Sequence, residues 1–221
     1  MDCPCDHVAE SRGSFCALDG QADTPMHIEL SEAPIAAVDE LRLVPISFTV
    51  DREYDVAPHQ GSGRFVLSER LIETPYVKDY DRIAGEGPSQ WARQFDTSRW
   101  GFIRAQSGGR LVGGAVLAFD TRDVTMLEGR RDLAVLWDIR VSPEARGQGV
   151  GSALFRAAEE WARARGCRQL MVETQNINVP ACRFYGRQGC VLVAVNRLAY
   201  PDLPGETQLL WCRDLTPGTH G

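Results

Sequence analysis

The chain has 221 residues and a mass of 24.5 kDa, and its 43% hydrophobic and 24% charged residues are typical of a globular protein. The net charge of −6 argues against a nucleic-acid-binding protein, which usually presents a basic face. No apolar run is long enough for a transmembrane helix, so we expect no membrane partner either.

Residues 1–25 are interpreted as a tail, because no apolar period runs through them. Cys3, Cys5, His7 and Cys16 raise the possibility of a zinc site, but such a site needs four tetrahedral ligands, usually from paired motifs. We therefore expect a flexible terminus, no metal, and one folded domain over residues 26–221. The polar start lacks the basic and apolar regions of a secretory signal, which predicts a cytoplasmic protein with mostly free thiols.

Short apolar runs separated by turn residues fill the first part of the folded region. They predict strands at Met26–Leu30, Ile46–Val50 and Phe65–Leu67. A helix is expected at Ala33–Leu41, where Ser31 precedes it as a cap.

The next elements are a short helix and a hairpin. Pro88–Phe95 predicts the helix, which starts with proline in its first turn. Trp100–Ala105 and Arg110–Phe119 flank a two-glycine turn and predict the hairpin. The polar stretch 121–131 that follows predicts a loop.

The last third of the chain is more regular, with strands and helices in alternation. The expected strands are Leu133–Val141, Arg168–Thr174, Cys190–Leu198 and Thr207–Arg213, and the expected helices are Val150–Arg165 and Asn178–Gln188. Alternation in the middle with hairpins on either side predicts a mixed α/β fold with a helix on each face of the sheet.

A glycine-rich loop between a strand and a helix carries the clearest functional signal. Residues 141–152 read Val-Ser-Pro-Glu-Ala-Arg-Gly-Gln-Gly-Val-Gly-Ser. Glycines at every second position let backbone N–H groups turn towards a ligand, and the following helix adds its positive end. Arg146 supplies a cation there. The loop is therefore interpreted as a phosphate or pyrophosphate site, with an ordinary turn before a helix as the alternative.

Two common phosphate-binding loops do not fit this segment. A P-loop needs a lysine after its last glycine, and the only lysine of the chain is the distant Lys78. A dinucleotide-binding loop needs a third glycine where Ser152 stands, and it belongs at the start of a fold.

The remaining pattern resembles the acetyl-CoA motif of the GNAT acyltransferases. R-x-x-G-x-G starts at Arg146, and N-x-x-A-x-x-F-Y-x-x-x-G starts at Asn178. The runs 173–214 and Pro75-Tyr-Val-Lys-Asp-Tyr80 are similar to the streptothricin acetyltransferase branch of that family. The resemblance implies a central, mostly antiparallel twisted sheet that is splayed at the acetyl-CoA site and flanked by helices on both faces.

The resemblance also implies how acetyl-CoA binds, as a co-substrate. Backbone groups of the Leu133–Val141 strand would pair with pantetheine, and amides of the loop would hold the pyrophosphate. The implied residues are Ile139, Val141, Arg146, Gly147, Gln148, Gly149, Val150, Gly151, Ser152 and Asn178.

Three residues are candidates for the chemistry of acyl transfer. Tyr185 matches the position of the family's acid, with a core tyrosine as the alternative. Asp138 interrupts an apolar strand, so it must be paired or functional; alternation places it on one face with Arg140, its potential partner. Glu173 is similar to a glutamate of the streptothricin branch and would hold the amine or act as base, unless it forms a structural pair.

The acceptor side is less defined. Tyr76, Asp79 and Tyr80 are candidates for the acceptor pocket, and packing of a loop is the alternative. The resulting hypothesis is an enzyme that moves acetyl from acetyl-CoA directly to a primary amine of a small, cationic molecule such as streptothricin. Acetylation of a protein lysine or N-terminus, and a non-catalytic acyl-CoA sensor, stay open as alternatives. Relatives that pair suggest a homodimer.

Overall fold

Two β-sheets organise the protein, whose computed structural model describes residues 26–61, 64–83 and 85–216. The strands are β1 (Glu29–Ala33), β2 (Phe48–Pro58), β3 (Phe65–Lys78), β4 (Gly101–Ser107), β5 (Arg110–Phe119), β6 (Leu133–Val141), β7 (Gln169–Gln175), β8 (Val191–Asn196) and β9 (Gln208–Asp214). The α-helices are α1 (Pro88–Gln94), α2 (Val150–Ala164) and α3 (Val179–Arg187). The predicted tail, with Cys3, Cys5, His7 and Cys16, lies outside the described residues.

The main sheet has seven strands in the order β1-β4-β5-β6-β7-β9-β8. Every neighbouring pair is antiparallel except β6 and β7, which are parallel and joined through α2. Strands β2 and β3 form a separate two-stranded sheet. The predicted mixed α/β fold with a mostly antiparallel sheet is confirmed.

Helical segments cover both faces of the main sheet. Ala115 and Leu117 of β5 pack in the cluster that contains α2 and α3, whereas Val116 and Ala118 pack in the cluster that contains α1. This alternation follows from the two-residue period of a strand. The prediction of helices on both faces is therefore confirmed.

The segment predicted as a helix at Ala33–Leu41 is instead a 3-10 helix at Ile35–Leu43, while Ala33 ends β1. The reason is visible in the spacing of its apolar residues. Val38, Leu41 and Val44 are buried at intervals of three, with half-buried Ile35 at the same spacing. Residues three apart eclipse each other in a 3-10 helix, so this geometry brings all of them onto the sheet.

The hairpin β2–β3 is much longer than the two short strands predicted for it. Charged residues interrupt the apolar pattern on both strands, so alternation did not reveal the pairing. The structure shows these charges facing one another: Glu53 lies opposite Arg70 and forms an ion pair with it, and Arg52 forms an ion pair with Glu69. Cross-strand pairs of opposite charge stabilise a sheet in place of apolar contacts.

The first strand, predicted at Met26–Leu30, lies instead at Glu29–Ala33, because it is an edge strand with four of its five residues exposed and therefore has no apolar pattern. Most of the other predicted elements agree closely with the structure. The strand Leu133–Val141 has the predicted bounds, and the hairpin β4–β5 and the helices α2 and α3 differ by one residue or two. The cysteines at 167, 182, 190 and 212 are free. Within the described residues, none of the helices combines the length and apolar character needed to cross a membrane.

Candidate active site in a cleft between two strands

A cleft opens where the two parallel strands of the sheet separate. β6 and β7 pair as far as Leu136 and Val172. Beyond this point β6 continues to Val141 and β7 to Gln175 without pairing with each other, although each still pairs with its other neighbour. A cavity of about 1050 Å³ occupies the gap and extends from the glycine-rich loop to the loop between β8 and β9. Backbone groups that face such a gap are available to an extended ligand.

A β-bulge in β6 determines how the strand presents its side chains to this cleft. The register with β5 shifts by one residue, and Trp137 is the extra residue. Bulges increase the local twist and re-aim the side chains that follow. Trp137 packs edge-on against Phe95 and at a tilt against Trp100, and it lines the cleft together with Asp138 and Arg140.

The glycine-rich loop forms one end of the cleft. Gly147 and Gly149 have φ of 77° and 84°, in the left-handed region that favours glycine. Gly149 precedes α2 and gives it no side-chain cap, so the first amides of the helix are available to a ligand. Arg146 donates from Nε to the Val141 carbonyl at 3.1 Å, with its side chain exposed at the loop. This geometry is suited to bind an anion, which is the kind of site that the sequence predicts.

Most residues predicted to bind the coenzyme lie along this end. Of the predicted residues, those that line the cleft are Ile139, Val141, Arg146, Gly147, Gly149, Gly151, Ser152 and Asn178. Gln148 bonds back to the Glu144 carbonyl at 2.8 Å, and Val150 is buried in the core, so these two can offer only their backbone. The Asn178 side chain caps α3 by accepting from the Ala181 amide at 3.2 Å.

Tyr185 reaches the cleft from α3. Its ring packs against Phe184 and Phe155, with centroids 5.2 and 6.1 Å away. Burial, followed by the negative charge of Asp138, raises the pKa of its hydroxyl, so the phenol keeps its proton at neutral pH. In the part of the chain that the structure describes, this hydroxyl makes no hydrogen bond. It lines the cleft as an unengaged proton donor.

Asp138 belongs to a buried charge cluster that the sequence predicted only in part. Arg140 donates to both oxygens of Asp138 at 2.8 to 3.0 Å, which confirms the predicted pairing. The same guanidinium also donates to Asp81 at 2.5 and 2.9 Å. Burial raises the pKa of Asp138, and Arg140 opposes that shift. Arg140 itself stays charged because its two carboxylate partners outweigh its burial.

Glu173 lies in β7 just beyond the point of separation, and the described residues that bond to it are all neutral. Tyr200 donates to Oε1 at 2.5 Å, Gln208 donates to Oε2 at 2.6 Å, and Gln175 contacts Oε1 at 3.5 Å. Among residues 26–61, 64–83 and 85–216, no cationic side chain forms an ion pair with Glu173. The carboxylate therefore contributes an uncompensated negative charge to the cleft.

Tyr80 is the predicted acceptor residue that lies in the main cleft. Its hydroxyl donates to Gln175 at 2.8 Å and contacts Glu206 at 3.1 Å. Glu206 is also ion-paired with Lys78, whose Nζ lies 5.0 Å from the Tyr80 ring centroid. Burial, followed by the charge of Glu206, raises the pKa of Tyr80, so this hydroxyl also stays protonated.

The other two predicted acceptor residues lie beside the main cleft. Tyr76 lines a smaller cavity of about 310 Å³ that shares Glu206 with it. Asp79 caps the short 3-10 turn Tyr80–Arg82 by accepting from the Asp81 amide at 3.1 Å.

Several residues of the cleft gave no sequence signal. They are Asp81, Glu86, Arg187, Tyr200, Asp202 and Glu206. Most of them lie on loops with no periodic pattern, and Asp81, Tyr200 and Glu206 have partners that are far away in the chain. Across the described ranges, no group of three or more potential ligands is arranged to hold a metal ion.

Comparison with known proteins gives consistent matches. The sequence model of the acetyltransferase (GNAT) family matches residues 68–190. Streptothricin acetyltransferase A of Bacillus subtilis (strain 168) is 39% identical over 163 residues, which cover 70% of this chain and 82% of that protein.

Two solved structures are similar over most of this chain. The crystal structure of nourseothricin acetyltransferase is 26% identical, covers 86% of this chain and 99% of that one, and has a TM-score of 0.66. A putative streptothricin acetyltransferase from Bacillus anthracis str. Ames, solved in complex with acetyl coenzyme A, is 22% identical over 85% of this chain and 99% of that one. Its TM-score of 0.68 shows a shared fold.

Proposed function

The chain belongs to the GNAT family of acetyltransferases, and from this premise we propose that it transfers acetyl from acetyl-CoA to a primary amine of a small, cationic molecule of the streptothricin class. The observation that carries the choice of acceptor is the uncompensated charge of Glu173. A half-buried carboxylate that has only neutral partners is suited to bind an ammonium group.

The residues at the glycine-rich end fit acetyl-CoA, which would supply the reactive acetyl thioester. The first amides of α2 and the left-handed glycines fit the pyrophosphate. The free edge of β6 beyond Leu136 fits the pantetheine arm, with Ile139 and Val141 as backbone partners. A cavity of about 1050 Å³ is large enough for the reactive arm and an acceptor together.

Direct transfer to an amine requires two proton movements. The amine has a pKa near 10, so freeing it at pH 7 costs about 4 kcal/mol. Asp138 is the better base in this proposal, since burial raises its pKa and its oxygens keep lone pairs that Arg140 does not use. The proton would move to it directly or through a water.

Tyr185 is the proposed acid. As the new bond to nitrogen forms and the bond from the acetyl carbon to sulfur breaks, the sulfur needs a proton or a strong hydrogen bond. The Tyr185 hydroxyl fits this role because its raised pKa keeps it protonated and no other described group engages it. Glu173 is left to hold the acceptor, with Tyr80 beside it.

The proposal is tested by thiol release from acetyl-CoA in the presence of streptothricin, a polyamine, free amino acids and a lysine peptide. Turnover with streptothricin or another small cation is expected. Turnover with the lysine peptide alone would instead indicate a protein acetyltransferase. If no acceptor reacts while acetyl-CoA raises the melting temperature, the protein is an acyl-CoA sensor and the proposal is wrong.

A further inference from the structure

The loop between β8 and β9, residues 197–207, forms the wall of the cleft opposite the glycine-rich end. Tyr200 and Glu206 project from this loop into the cleft. Two contacts hold the C-terminal end of this loop in place. Lys78 of β3 forms an ion pair with Glu206, and the Asn176 side chain accepts a hydrogen bond from the Thr207 amide at 2.7 Å. A loop held in this way can present a side chain in a fixed position.

Tyr200 connects this wall to Glu173 through an ordered series of hydrogen bonds. Tyr80 donates to Gln175 Oε1 at 2.8 Å, Gln175 Nε2 donates to Tyr200 Oη at 3.0 Å, and Tyr200 donates to Glu173 Oε1 at 2.5 Å. Because Tyr200 has one proton and already accepts from Gln175, its hydroxyl can point only at Glu173. Burial, followed by the charge of Glu173, raises the pKa of Tyr200, so the donor is not lost at neutral pH.

The hydrogen bond from Tyr200 matters because Glu173 has a flexible side chain and, within the described parts of the chain, no cationic partner to orient it. Gln208 holds the second carboxylate oxygen at 2.6 Å, so the two donors together fix the plane of the group. A carboxylate fixed in advance binds a cation more tightly, since less freedom is lost on binding.

We propose that Tyr200 is a positioning residue, which orients Glu173 to bind the cationic acceptor and thereby sets the affinity for it. This inference rests on the proposed function and deepens it. Tyr200 itself does not touch the reacting atoms in this scheme. Its effect passes through Glu173, so it should influence acceptor binding and leave the chemical step alone.

The first test is Tyr200→Phe, which removes the hydroxyl and keeps the ring. The KM for the acceptor should rise about tenfold or more, as expected for loss of a hydrogen bond to a charged group. The kcat should stay within about twofold, and the KM for acetyl-CoA should not change. Tyr54→Phe is the matched control, because it removes a hydroxyl that donates to the carboxylate of Glu69, at 3.2 Å, outside the cleft. A fall in kcat with an unchanged acceptor KM would overturn the proposal.

The second test is a double-mutant cycle with Glu173→Gln. If Tyr200 acts through Glu173, then Tyr200→Phe should add little in the Glu173→Gln background. An equal effect in both backgrounds would show a role independent of Glu173 and overturn the proposal. If the wild-type protein acetylates no amine, the proposed function and this inference are both overturned. If the wild-type protein is active and Tyr200→Phe has the same acceptor KM as the wild type, only the inference is overturned.

Discussion

The proposed acid role of Tyr185 makes the sharpest prediction about catalysis. Tyr185→Phe removes one hydroxyl and keeps the ring contacts with Phe155 and Phe184. Because that hydroxyl makes no hydrogen bond within the described residues, its loss should cost less than about 1 kcal/mol of stability. A general acid contributes about 10² to 10⁴ in rate, so kcat should fall by that factor, or about 3 to 5 kcal/mol of transition-state stabilisation.

The measurement is the initial rate of thiol release at saturating acceptor, with acetyl-CoA affinity measured separately by calorimetry. The affinity should be unchanged, which separates a chemical defect from a binding defect. Tyr54→Phe controls for loss of a tyrosine hydroxyl elsewhere. A kcat within threefold of wild type would refute the reasoning, since the sulfur would then receive its proton from another group. Because burial raises the pKa of Tyr185, loss of this proton should not limit the wild-type rate at neutral pH.

Three further substitutions test other parts of the argument. Arg140→Met leaves Asp138 buried without its cation, at a cost on the order of 3 to 5 kcal/mol in denaturant unfolding. Burial raises the pKa of Asp138, so the folded state of this variant binds a proton more tightly than the unfolded state. The stability of the variant should therefore fall as the pH rises above the ordinary pKa range of an aspartate. A loss of stability that does not depend on pH would contradict this reasoning. Gly149→Ala places a side chain on a residue whose φ is 84°, which should lower the folding stability by about 1 to 2 kcal/mol. It should also weaken acetyl-CoA binding in a thermal-shift titration, whereas a change confined to the core should not. Gly101→Ala is that core change: its Cβ would lie 2.3 Å from Trp161, so we expect a loss of about 1 to 3 kcal/mol with an unchanged acetyl-CoA KM.

The glycine-rich end of the cleft could be predicted as a structure because its signal is local. The strand Leu133–Val141, the three glycines and the start of α2 are continuous in the chain, and each follows from backbone geometry. A left-handed φ at Gly147 and Gly149 is a requirement that only a few residue types meet, so the sequence there leaves little choice.

The opposite end of the cleft, where we propose that the acceptor binds, could be predicted only in part because it is assembled from distant segments. Arg140 meets Asp81 across 59 residues, and Tyr200 meets Glu173 across 27. No periodic pattern in the sequence indicates either contact, and the composition of the chain does not reveal the bulge at Trp137, which changes the direction of the side chains that follow in β6. The same limit applies to the β2–β3 hairpin, where pairing of opposite charges replaces the apolar alternation on which a strand prediction depends.

The two ends of the cleft carry opposite charges, and this explains how a protein of net charge −6 would bind a polyanionic coenzyme. Arg146, Arg187 and the amides of α2 make the glycine-rich end positive, although the protein as a whole is acidic. At the other end, Glu173 has no cationic partner among the described residues. Because local charge governs binding at short range, an anion and a cation placed in this cleft are each favoured at one end only. In the proposed reaction, that separation would bring the thioester and the amine towards the strand gap from opposite sides, and Tyr185 and Asp138 line this gap.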